Sequence, residues 1–207
     1  MGEYPTTIGK AVSKKERDDN SLEDPTLVYG EIQFKTFALA IEKIKETYNG
    51  LNEPGGVFVD LGSGLGKPIF AALLCHEFDK VIGIELLRGL HDISLELLDI
   101  WYELKDTLEV SPKTLKTSIE MIHGDLLKID WANADLAFCN STCFDQELID
   151  KVSEKAELMK PGSFFISFTR RLNSTKWQVL EYERHLMSWG DATVFISQRK
   201  PHSDNSI

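Results

Sequence analysis

Three acids stand at regular stations along this chain. Asp60 closes the apolar run GVFVD, Glu85 closes KVIGIE, and Asp125 follows SIEMIH in the stretch HGDL. Directly behind the first acid, glycine returns at every second position in DLGSGLG, as Gly62, Gly64 and Gly66. Such glycines take backbone angles closed to other residues and let a ligand approach the main chain. A helix beginning behind the loop offers unpaired N–H groups. A nucleotide-like ligand is the natural occupant, and spacing selects among the candidates. A dinucleotide site asks for GxGxxG, so that pyrophosphate meets the helix N-terminus. Here the last interval is one residue short and an acid precedes the loop, which argues against a nicotinamide dehydrogenase. Asp60 would repel a diphosphate and attract an ammonium group. S-adenosylmethionine carries an ammonium group, a cationic sulfonium and no phosphate.

The other stations extend that outline. Glu85, 25 residues after Asp60, can accept both hydroxyls of a ribose. Asp125 lies where an adenine amino group should sit, and the Leu126 backbone can serve a ring nitrogen. Each has a plainer reading: a solvated strand-end acid at 85, and an ordinary Gly-Asp turn at 124–125. A fourth apolar run, DLAFC, ends on Asn140, followed by Ser141, Thr142 and Phe144. Asn140 offers a donor and an acceptor where a transferred group would lie, and Phe144 could wall a channel. The rival reading makes Asn140 the N-cap of a helix starting at Gln146. No lysine or histidine stands there as a catalytic base.

These stations need a frame. Apolar runs at 57–60, 80–85, 118–122, 135–139 and 163–168 read as strands, and helical spacing over 32–44, 67–78, 90–104 and 146–159 reads as helices. Strand–helix alternation implies parallel pairing with right-handed crossovers. The runs over 177–186 and 193–199, joined near Trp189, Gly190 and Asp191, lack a helix-length gap and predict an antiparallel hairpin. The expected fold class is therefore α/β: a doubly wound, mostly parallel sheet of about seven strands with a C-terminal antiparallel hairpin at one edge. Parallel sheets bind ligands beyond the carboxyl ends of their strands, which is where the glycine loop falls. Residues 1–25 are polar, carry Pro5 and Pro25, and read as a loose arm; 201–207 read as a polar tail.

The chain has 207 residues, suited to one domain with a real core. Its formal net charge of −10 disfavours nonspecific nucleic-acid binding and would not hinder a cationic or lysine-rich substrate. Cys75, Cys139 and Cys143 have no framework spacing, and no second Cys/His pair completes a zinc site, so reduced thiols and no metal are expected. No apolar run reaches membrane-spanning length and no leader-like segment opens the chain, which sets a nuclear or cytoplasmic expectation.

The order VFVDLGSGLG, IGIE, GDL and a strand-four Asn resembles the class I methyltransferases that use S-adenosylmethionine. LVYGEI at 27–32, about thirty residues ahead of VFVDLGSGLG, narrows the resemblance to the disruptor-of-telomeric-silencing type of histone lysine methyltransferase. The match covers roughly 26–168, within one methyltransferase domain expected over 26–200. It implies that Tyr29, Gly30 and Glu31 line the methionine end of the cofactor; from the residues alone, that triplet would be a loop leading into a helix. It further implies that Asp60, Gly62 and Gly64 contact the amino group and backbone of the cofactor. Glu85 holds the ribose, Asp125 and Leu126 the adenine. Asn140 lies near the methyl group and the incoming lysine, and Tyr29 and Asn140 are the candidate catalytic residues. The implied partner is a protein with an acceptor lysine, a histone among the candidates. A lysine acceptor must lose a proton, at about 4.6 kcal/mol at pH 7, which an apolar channel reduces by desolvation. Where the family continues with a second Asn and an aromatic, this chain has Ser-Thr-Cys-Phe, and its basic flank is only Lys10, Lys14, Lys15 and Arg17. A non-histone protein, a small metabolite, or a silent cofactor-binding partner domain are the other readings.

Overall fold

Side chains along β1 (Val57–Leu61) alternate between two faces. Phe58 joins one core with α2 (Phe34–Glu46), α3 (Lys67–Cys75) and α4 (Arg88–Leu104). Val59 and Leu61 join a second core with α5 (Gln146–Ala156) on the opposite face. The computed structural model describes residues 5–187 and 190–201 as a sheet sandwiched between these helical layers. The same alternation places Asp60 on the Phe58 side, facing the helices that follow β1 and β2.

The seven strands run in the order β3-β2-β1-β4-β5-β7-β6. They are β1, β2 (Lys80–Glu85), β3 (Ser118–His123), β4 (Leu136–Cys139), β5 (Phe164–Phe168), β6 (Trp177–Met187) and β7 (Gly190–Arg199). The first five pair in parallel, and β7 lies antiparallel between β5 and β6. The expected hairpin is present and longer than the sequence predicts; Trp189, expected in its turn, lies outside the described residues, as do 1–4 and 202–207. The chain leaves β1 towards β2 on one side and later returns to β4 on the other, so the carboxyl ends of β1 and β4 flank the switch-point crevice. Two of the core helices end earlier than the spacing predicts: α3 stops at Cys75, where His76 turns extended and lets Phe78 swing fully into the core, and α5 stops at Ala156.

Within the arm expected over 1–25, the structure holds a helix that the sequence does not predict. Residues Thr6–Asp19 form α1, which docks on the ligand side of the sheet. Its buried residues are Gly9 and Ser13, small side chains that leave no apolar period for the sequence to display. Polar ties add to the packing of Val12 against the core. The Ser13 hydroxyl donates to the Leu27 carbonyl at 2.9 Å. Glu16 accepts the backbone N–H groups of Arg88 and Gly89 at 2.7 and 2.6 Å. A carboxylate there satisfies otherwise unpaired donors and complements the positive end of α4.

Candidate active site

The glycine loop is pinned to the neighbouring strand. Gly62 and Ser63 both donate to the Ile84 carbonyl, at 2.9 and 3.0 Å, and Gly64 donates to Glu85 Oε2 at 2.7 Å. Gly64 has a φ of +54°, and a Cβ there would stand 2.4 Å from the Tyr29 ring. The opposite edge of that ring meets Gly9 of α1, where a Cβ would stand 2.3 Å away. Tyr29 is thus clasped between two residues that must lack side chains. Gly64→Ala should lower the thermal midpoint of the ligand-free protein by about 2–8 °C, from a left-handed penalty of about 1–2 kcal/mol. Differential scanning calorimetry checks it, and an unchanged midpoint would mean that residue 64 does not hold its left-handed angle.

The carboxylates behave differently from one another. Asp60 is 1% exposed, and neither of its oxygens has a hydrogen-bond partner among the described residues. Burial pushes its carboxyl well above the usual range, and the nearby Glu85 charge adds to the push. Glu85 is also buried; burial raises it, while the N–H groups of Leu87 and Gly64 pull the other way. Asp125 does sit in a turn, accepting from the Leu127 N–H at 2.8 Å, and still lines the main cavity. The Leu126 carbonyl is taken by the Trp131 indole at 2.8 Å.

A strap over 28–33 crosses these strand ends. The Tyr29 hydroxyl donates to Glu31 Oε1 at 2.5 Å, Lys67 reaches the same oxygen at 2.7 Å, and the Thr6 hydroxyl of α1 donates to Oε2 at 2.6 Å. Burial works to raise the Glu31 carboxyl, but Lys67, Thr6 and Tyr29 together hold it below the usual range. Burial, with Glu31 beside it, pushes the Tyr29 phenol well above its ordinary value. Asn140 Nδ2 donates to the Gly30 carbonyl at 3.0 Å, joining strap to β4. The capping alternative for Asn140 fails, because the Asp145 carboxylate caps α5 by accepting from the Leu148 N–H at 2.8 Å.

Two cavities result. The larger, about 400 Å³, is lined by Gly62, Glu85, Asp125, Leu126, Asn140 and Phe144 among others, with Lys10 also on its wall. The smaller, about 30 Å³, holds Glu31, Asp60 and Lys67. Tyr29, Gly30, Gly62 and Asn140 line both and form the partition. Sequence reasoning misses Lys67, Thr6 and Glu16. Lys67 has a signal, as the first helical residue behind the glycines; the other two lie on a helix without an apolar stripe.

Comparison with known proteins agrees with this architecture. An RNA methyltransferase from Salinibacter ruber, solved with S-adenosyl-L-homocysteine, superposes with a TM-score of 0.56 at 17% identity, over 82% of this chain and 94% of that one. The [4+2]-cyclase SpnF superposes at 0.57 and 11% identity, over 81% and 80%. At such identities the likeness is one of fold. In sequence, the chain is 30% identical over 163 residues to the histone-lysine N-methyltransferase, H3 lysine-79 specific, of Dictyostelium discoideum. That alignment takes in 70% of this chain and 9% of the relative's length. Residues 12–189 match the family described as histone methylation protein DOT1, and over that span, from α1 through the sheet, the chain belongs to this family.

Proposed function

We propose that the chain is an S-adenosylmethionine-dependent methyltransferase that modifies lysine side chains of a protein. One observation carries the reading: Asp60 is a buried carboxylate with both oxygens unpartnered among the described residues, at the switch point of the sheet. An uncompensated buried acid is costly unless a cation or donor arrives to meet it. The ammonium group of S-adenosylmethionine has that character. The rest of the donor set fits too. Glu85 and Asp125 line a cavity of about 400 Å³, of the size that suits a nucleoside. Lys67, at the N-terminal end of α3, offers a counterpart for the carboxylate of the amino-acid tail. To engage both Asp60 and Asp125, a ligand must pass the Tyr29–Gly30 partition, so the strap adjusts on binding.

When bound, the cofactor supplies an electrophilic methyl group on a cationic sulfur. The chain's own residues bind, orient and exclude water. Asn140 positions the acceptor at the partition, Phe144 and Tyr29 wall its approach, and the Glu31–Lys67–Thr6 cluster fixes the strap. No side chain is assigned as a proton acceptor; burial of the acceptor amine favours its neutral form, and bulk water takes the proton. The name of the Dictyostelium relative makes histone H3 the first acceptor to try, and a nuclear location accompanies that choice. The net charge of −10 gives the chain attraction for lysine-rich protein tails.

The test incubates the protein with methyl-tritiated S-adenosylmethionine and, separately, recombinant nucleosomes, free core histones and a nuclear extract. Tritiated methyl-lysine in hydrolysed protein is the expected result. Label confined to small molecules would replace this reading with a metabolite methyltransferase. Calorimetric binding without label would leave a silent cofactor-binding domain, and tight NAD binding alone would end the assignment.

A further inference from the structure

We propose that Thr142 and Thr169 are positioning residues that lock the Asn140 side-chain amide in one orientation. The proposal rests on the reading of Asn140 as the residue that orients the acceptor amine. The Thr142 hydroxyl donates to Asn140 Oδ1 at 2.9 Å, and Asn140 Nδ2 donates to the Gly30 carbonyl at 3.0 Å. The Thr142 and Thr169 hydroxyl oxygens stand 3.1 Å apart. These contacts admit a single direction. A backbone carbonyl only accepts, so the amide nitrogen must face Gly30 and the amide oxygen must face Thr142. The one Thr142 proton then goes to Asn140, and Thr169 must donate to Thr142. The relay runs Thr169 to Thr142 to Asn140 to Gly30, and an amide flip would set two acceptors against each other at Gly30.

The backbone of Thr169 makes the relay more than an incidental contact. Its φ is +69°, left-handed, and a branched residue is rare there. Glycine would fit that angle without strain but would bring no hydroxyl. The strain is held by β7, whose Thr193 carbonyl accepts the Thr169 N–H at 2.7 Å. The neighbouring Ser141, fully buried, donates to the Phe168 carbonyl at 2.6 Å and ties the β4 end to the β5 end. Strained residues that surrounding structure holds in place concentrate at functional sites. The Ser-Thr-Cys-Phe stretch after Asn140 thereby acquires a role: Thr142 is the part of it that addresses Asn140. With one lone pair of Oδ1 committed to Thr142 and one N–H to Gly30, the second lone pair of Oδ1 is left to accept an N–H from the acceptor amine. That leaves the amine's own lone pair unobstructed.

Thr142→Val and Thr169→Val keep the side-chain shape and remove the hydroxyl; Thr142→Ser and Thr169→Ser restore it. With tritiated S-adenosylmethionine and core histones, Thr142→Val should lower kcat about tenfold, the weight of one hydrogen bond, with cofactor KM within about twofold. The exposed Thr169→Val should lower kcat about threefold, and both Ser variants should stay near wild type. A second readout needs no turnover. The Asn140 side-chain amide pair in a ¹H–¹⁵N spectrum, assigned by its loss in Asn140→Ala, should move towards free-amide positions in both Val variants and hold in both Ser variants. An amide pair unmoved by Thr142→Val overturns the proposal, as does a Ser variant that fails alongside its Val partner. If the wild-type protein labels no acceptor, the methyltransferase reading falls, and the amide spectrum alone still decides whether the relay exists.

Discussion

Asp60→Asn is expected to weaken S-adenosylmethionine binding by roughly 10- to 150-fold while making the ligand-free protein more stable. The affinity figure is the usual worth of a hydrogen bond to a charged group, about 1.5–3 kcal/mol. The stability gain has the opposite origin. Asp60 is buried with no partner for either oxygen among the described residues, so the free fold carries an uncompensated acid that the variant removes. Each kcal/mol relieved raises the midpoint of a chain this size by about 2–4 °C. Isothermal calorimetry reads the first effect and differential scanning calorimetry the second. Affinity that survives the change would put the ammonium group elsewhere and remove the central support for the proposed cofactor.

The same acid gives binding and stability a defined pH dependence. Asp60 and Glu85 both have folded-state pKa values above their ordinary ones, because burial disfavours their charged forms. In the window above an unfolded carboxylate value of about 4, the folded chain therefore holds more protons than the unfolded chain, and their contribution to stability falls as pH rises. The destabilisation is absent below that window and complete above the folded values. Glu31 is held low and contributes in the opposite sense, so the difference between wild type and Asp60→Asn isolates the Asp60 part. The midpoint gain of the variant should be larger at pH 8 than at pH 5. By the same linkage an arriving ammonium group displaces a proton from Asp60. Calorimetry in two buffers of different ionisation enthalpy should show proton release for wild type and less for the variant.

What the sequence reveals here follows from how local the cause is. Strand β2 is legible to the residue, since Lys80 and Glu85 bracket an unbroken apolar run. The acids at the ends of β1 and β2 are legible as stations because strand and loop boundaries are local. Their environments are not. That Asp60 lacks a partner among the described residues while Glu85 takes the Gly64 and Leu87 N–H groups depends on which backbone donors the folded loop presents. Helix α1 escapes notice because its buried face is Gly9 and Ser13, not an apolar stripe. The Tyr29 ring fills the space over Gly64, so the two halves of the site, both visible in sequence, prove to be interlocked. Thr142 and Thr169 meet only because β4 and β5 are neighbours in the sheet.

Asn140→Ala is expected to lower kcat about 100-fold, the scale on which misplacing a reacting group slows an oriented reaction. Cofactor affinity should change by no more than about threefold, because on the cofactor side the substitution removes the hydrogen bond to the Gly30 carbonyl, at the low end of its usual worth. The split distinguishes positioning from binding: a residue that only shaped the pocket would raise the dissociation constant and leave the chemical step intact. Single-turnover measurements with saturating cofactor separate the two, and wild-type turnover would take Asn140 out of the mechanism. The relay supplies an internal control. Thr142 also lines the larger cavity, but its hydroxyl proton goes to the Asn140 amide, so Thr142→Val added to Asn140→Ala should slow turnover no further. Residues that act through one shared interaction give strongly non-additive cycles. Additive effects would instead mean that Thr142 reaches the acceptor by a route of its own, and that the left-handed turn at Thr169 serves the channel wall instead of the amide.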